Sequence, residues 1–103
     1  MASLEPPDSH VLSAALGWLG LGNLEEAEIE IKRLTRPATR HPDVLEFVWV
    51  LLSRREDWIA AAATAQSLKK IAPDRPQGWI HYSYALRRAE GGGLEASWKA
   101  LLP

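Results

Sequence analysis

Arg54, Arg87 and Arg88 are the side chains of this 103-residue sequence best suited to gripping another molecule. A guanidinium presents its N–H donors in a rigid fork that holds a carboxylate through two parallel bonds, so these positions could pair with acidic groups of a partner. Their ordinary structural use is at helix ends, where a positive charge meets the negative end of the dipole. Other chemistry is thin. His10, His41 and His81 have no second ligand at the spacings metal sites use. No set of serine, histidine and acid, and no carboxylate pair in an apolar pocket, can be brought to convergence on the expected elements. No catalytic residue, metal ligand or cofactor is therefore expected. Gly91-Gly92-Gly93 lacks the lysine and the serine or threonine that must follow a phosphate-cradling loop, and reads as a turn.

Composition narrows the partners. With 12 basic and 13 acidic side chains and a formal net charge of -1, the chain has no long-range field to draw in nucleic acid or an anionic membrane. The absence of cysteine excludes disulfides, thiolate nucleophiles and zinc-thiolate sites, which fits a reducing compartment and a cytoplasmic location. Residues 1–7 lack the basic-then-apolar order of a secretion signal and are expected to form a flexible lead. The uncharged stretch from Val11 to Gly22 is too short to span a bilayer and reads as buried helix.

The elements that must position these residues are helical throughout. Asp8 or Ser9 can cap a first helix running to about Leu21. Gly22-Asn23 makes a turn, and Asn23 with Glu26 has capping-box spacing for a second helix. That helix carries Leu24, Ala27, Ile31 and Leu34 on one face and stops near Arg36, because Pro37 cannot donate the next backbone bond. Residues 37–41 are a linker. Pro42 opens a third helix carrying Leu45, Val48, Trp49 and Leu52, and Asp57 marks the following turn and cap. An alanine-rich fourth helix runs from Trp58 to about Ile71 and is ended by Pro73. Asp74 and Gln77 around Pro76 start a fifth, to about Ala89, and a short sixth ends at Pro103.

A period of 34 residues underlies this order. Val11, Leu45 and Trp79 keep it, as do Ala14, Val48 and Tyr82; Ala15, Trp49 and Ser83; and Trp18, Leu52 and Leu86. In the second half of the unit Asn23 pairs with Asp57, Leu24 with Trp58, Ala27 with Ala61, Ile31 with Ala65 and Leu34 with Leu68. Agreement in so many apolar columns points to a repeated helix pair whose columns are mostly core, Trp18, Trp58 and Trp79 included.

With Trp79-Ile80-His81-Tyr82-Ser83-Tyr84-Ala85-Leu86, and with Ala61 and Pro73 at matching offsets, residues 8–102 resemble the tetratricopeptide repeat family. The resemblance implies an all-α, right-handed superhelical stack of about three helix-turn-helix repeats, over about residues 8–41, 42–75 and 76–103, the last truncated. It also implies a non-enzymatic adaptor that receives a partner protein in a concave groove lined by the first helix of each pair. Those positions here are Leu12, Leu16 and Leu19; Glu46, Val50 and Arg54; and Ile80, Tyr84, Arg87 and Arg88. The columns of the family's Lys and Asn carboxylate clamp hold Leu12, Leu16, Glu46, Val50, Ile80 and Tyr84, so binding of chaperone tails is not expected. Trp49 departs from the family's small-residue column, and Ala65 stands where an aromatic is usual, which implies that Trp49 fills the volume Ala65 leaves.

Two rival readings follow from smaller features. His41-Pro42-Asp43-Val44 resembles the opening of kinesin light chain repeats, and short bacterial proteins of that kind accompany tubulin-like filaments. Val11 to Leu21, or the segment holding Trp98, could instead tether the chain to a membrane surface. Trp98, with Leu94, Leu101 and Leu102, also ends the array without a polar cap. It is therefore a candidate contact with a partner or with a second copy through the C-terminal helix.

Overall fold

The computed structural model describes residues 3–89, and every regular element in them is helical. They are α1 (Asp8–Gly20), α2 (Leu24–Ile31), a 3-10 turn at Pro37–Arg40, α3 (Pro42–Arg54), α4 (Trp58–Ile71) and α5 (Pro76–Ala89). The expected sixth helix, the glycine run and Trp98 lie outside the described residues. The chain divides into two compact units, residues 1–44 and 45–103, with the cut in the first turn of α3.

In the first unit α1 packs on α2, and the buried side chains are Leu12, Ala15, Leu19, Ala27, Ala38, Pro42 and Val44. Leu12, Ala15 and Leu19 fall three and four residues apart, the spacing that puts them on one helix face. Asp8 does not cap α1: Pro7 holds the cap position and no side chain bonds there. The Asp8 carboxylate instead accepts from the backbone N–H of Thr35 at 2.9 Å and from its hydroxyl at 2.6 Å. This contact also explains why α2 ends at Ile31 and not near Arg36. Its last turn tightens, with Arg33 donating to Glu30 and Leu34 to Ile31, and the next N–H, that of Thr35, is taken by Asp8 before it can turn back to the helix. Leu34 thus lies beyond the helix expected to carry it.

The Thr35 hydroxyl, followed by its N–H, holds the Asp8 carboxyl below its ordinary 3.8. A depressed carboxyl supports the fold above its unfolded value and loses that support as pH falls through the folded one. Asp8→Ala is expected to lower the melting temperature at pH 7, and the gap from wild type should close as the pH drops below 3.8. A gap of constant size down to pH 2 in thermal melts would show that the ionised carboxylate contributes nothing.

The α1–α2 and α3–α4 turns are built alike, at positions 34 apart. In the first, Gly22 is left-handed with φ 78, its N–H bonds to Leu19 O at 3.0 Å, and Asn23 N–H reaches Trp18 O at 2.9 Å. In the second, Glu56 is left-handed with φ 58, its N–H bonds to Ser53 O at 3.0 Å, and Asp57 N–H reaches Leu52 O at 3.0 Å. These paired bonds satisfy carbonyls that a helix end leaves open. Asn23 and Asp57 then cap the next helix, accepting from Glu26 and Ala60 N–H at 3.1 and 3.2 Å. The left-handed residue is glycine in the first turn and glutamate in the second. A side chain there is crowded by its own carbonyl, so Glu56→Gly should stabilise by about 0.5–1 kcal/mol after the added freedom of the unfolded chain is deducted. Urea titration checks it, and a loss of stability would mean that the Glu56 side chain makes a contact worth more than the strain.

In the second unit α4 packs on α5. Trp49, Ala61, Ala62, Ala65 and Ala85 form a buried cluster, with Val50, Leu52, Trp58 and Tyr82 against it. Trp49 and Ala65 are both members of this cluster, which the expected exchange of volume requires. Gly78 brings α5 close to α4: a Cβ at Gly78 would stand 3.1 Å from the backbone N of Lys69 and 3.4 Å from Leu68 Cγ. Trp79, expected in the core, is 38% exposed. Its N–H bonds to Pro73 O at 3.3 Å, and the Lys69 amine lies 4.2 Å from its ring centre.

Candidate functional site

Helix α5 begins on Pro76, whose missing N–H costs nothing in a first turn, and carries no acidic residue along its length. Ile80, Tyr84 and Arg88 recur every four residues and Arg87 stands beside them, so the four share one stripe of the helix. Ile80 is 61% exposed and Tyr84 40%. Full burial of side chains of this size is worth about 1.5–3 kcal/mol each, which makes the stripe the more costly apolar surface of α5 to leave in water.

The stripe is held in place from beneath. Tyr84 meets Trp58 and Trp49 edge to face, with centroids 5.7 and 5.9 Å apart. The Arg88 guanidinium lies 3.5 Å from the Tyr84 ring centre and 5.4 Å from that of Trp58, and its Nη1 donates to Tyr84 O at 3.4 Å. A stacked guanidinium keeps in-plane N–H groups for a further acceptor, and stacking removes rotamer freedom that binding would otherwise cost. Neither Arg87 nor Arg88 has a carboxylate partner among the described residues.

The remaining candidates of this unit differ. The Glu46 carboxylate is engaged by Arg75 Nη1 at 2.8 Å. Val50 is half-buried against the Trp49 cluster, and Arg54 is exposed at the end of α3. In the first unit only Leu16, at 49% exposure, offers surface. Leu12 and Leu19 are buried, because the face of α1 that carries them is the face turned inward with Ala15. As contact residues for a partner they have little side chain left to give. Trp98 lies outside the described residues.

Further contacts at α5 involve Lys69, which sequence reasoning did not single out, and His81 and Trp49, whose contact it did not foresee. The Lys69 amine sits 4.2 Å from the Trp79 centroid and 4.1 Å from that of Tyr82. Loss of solvation pulls it below its ordinary 10.5, while the two ring faces favour the ammonium. His81 stacks on Trp49, centroids 4.0 Å apart and rings 16° from parallel. Removal from water lowers the His81 imidazole below 6.5, against the raising effect of the Glu46 charge. Its neutral form is the folded one, so its support is complete above 6.5 and is lost as pH falls through the folded value. The Trp49 indole N–H is buried and has no hydrogen-bond partner. The aromatic residues are visible in the sequence, but nothing in their spacing says which cation each one meets.

Among the described residues no three of His, Cys, Asp and Glu come together where a metal could be held. No helix among them is long and apolar enough to cross a membrane. A scan against protein-family models matched none, and searches of curated proteins and of solved structures returned no match.

Proposed function

We propose that this chain is a non-enzymatic protein-interaction module of the tetratricopeptide kind, acting as an adaptor through the outer stripe of α5. The observation that carries the reading is the pairing, on one helix, of exposed Ile80 and Tyr84 with two arginines that have no carboxylate partner among the described residues. The apolar pair supplies contact area, and the arginines select a partner with acidic groups. The stack of repeats belongs to the same reading and is supported by the two turns whose hydrogen bonds match at 34-residue spacing. Val50 and Arg54, on α3 of the same unit, would extend the contact.

The test is capture of a partner from the source cell on immobilised protein. Ile80→Asp and Arg87→Glu should each abolish capture while helical circular dichroism stays intact, and Ile59→Asp, on an exposed position of α4, should not. The same proteins captured by wild type and by Ile80→Asp would remove α5 from the function. Co-sedimentation separates the rival readings: pelleting with tubulin-like filaments favours the filament adaptor, and pelleting with liposomes favours the membrane tether.

A further inference from the structure

The cations left open on α5 have a counterpart in the first unit. Helix α2, Leu24–Ile31, carries four glutamates and no basic residue. Its outward face holds Glu25 and Glu26, both exposed, with Ile29 one turn on and 54% exposed. Glu30 is paired with Arg33 at 3.4 Å, but Glu25 and Glu26 have no cationic partner among the described residues. The face is thus an apolar side chain flanked by two carboxylates without a cationic partner among the described residues, and the stripe of α5 is an apolar pair flanked by two guanidiniums without a carboxylate partner among them.

We infer that α2 of one copy docks on the α5 stripe of another, so that this chain associates with itself. This rests on the reading of α5 as a binding face and names its occupant. Ile29 lies against Ile80 and Tyr84, and Glu25 and Glu26 face Arg87 and Arg88. Opposite charges face each other only when α2 of one copy meets α5 of another, since α2 on α2 or α5 on α5 would oppose like charges. Two short helix faces cover less area than a stable interface needs, which makes the association weak and dependent on salt.

The experiment is sedimentation velocity over a concentration series reaching about 1 mM, in low and high salt. Wild type should shift to faster-sedimenting species as concentration rises, and the shift should shrink with salt. Arg87→Glu/Arg88→Glu and Glu25→Arg/Glu26→Arg should each remain monomeric, and a mixture of the two should associate again, because the reversed α2 of one then meets the reversed α5 of the other. Monomer throughout the series for wild type overturns the inference, as does association that survives the α2 reversal or a mixture that fails to recover it. Failure here leaves the α5 reading standing if capture of a separate partner still depends on Ile80 and Arg87. Loss of both removes the reading as well.

Discussion

Trp49→Ala lowers the unfolding free energy by about 3–5 kcal/mol, read from urea titration of the helical signal. The indole is buried, and its neighbours Ala61 and Ala65 are fully buried alanines with no side chain able to swing into the space it leaves. The His81 ring stacked 4.0 Å away loses its partner at the same time. Trp49→Phe separates volume from chemistry. It removes the one indole N–H found buried without a partner, a defect of about 1–3 kcal/mol, and sets this gain against a smaller void, so its net cost should fall within about 1.5 kcal/mol. The exchange with Ala65 makes a sign prediction: Ala65→Leu should destabilise wild type by overpacking, yet recover part of the loss in Trp49→Ala. A near-neutral Trp49→Ala would place the ring outside the core.

Leu68→Ala should cost about 2–5 kcal/mol, in the upper part of that range. Leu68 is fully buried on α4, and a Cβ placed at Gly78 of α5 would already touch Leu68 Cγ at 3.4 Å and the Lys69 backbone N at 3.1 Å. The two helix backbones are therefore near their closest approach and cannot close over a lost isobutyl group, so the cavity persists and its full cost appears. Thermal melts report the loss. A cost under about 1 kcal/mol would mean that α4 and α5 slide together despite the contact at Gly78.

Helix positions were legible because their causes are local. Prolines at 42, 73 and 76, and the cap at Asp57, act within a turn of where they stand, and α3, α4 and α5 lie where those residues place them. The end of α2 was not legible, since it depends on a carboxylate 27 residues away in the chain. A local pattern spends Asp8 on its own helix; the fold spends it on Thr35. Trp79 failed for a related reason. An amine at Lys69 shields one face of the ring, and helical periodicity counts aromatic rings as core without seeing a cation that can cover them at the surface.

The candidate site divides along the same line. Ile80, Tyr84, Arg87 and Arg88 share a stripe because helical spacing dictates it, and that much was readable. Leu12 and Leu19 have the same spacing, but their stripe is the buried one. Periodicity gives the angle between faces and not which of them another helix covers. The contact of Arg88 with Tyr84 is an i, i+4 pair that spacing allows, but the packing of Tyr84 on Trp49 and Trp58 joins α3, α4 and α5 in a way no single helix pattern contains.

The stack of His81 on Trp49 also has an optical consequence. An imidazole in van der Waals contact with an indole leaves the emission of that indole nearly untouched while neutral and quenches it by electron transfer once protonated. One of the five tryptophans therefore carries its own proton sensor, placed within the second unit at the joint of three helices. The difference in emission between wild type and Trp49→Phe should therefore report the charge of His81.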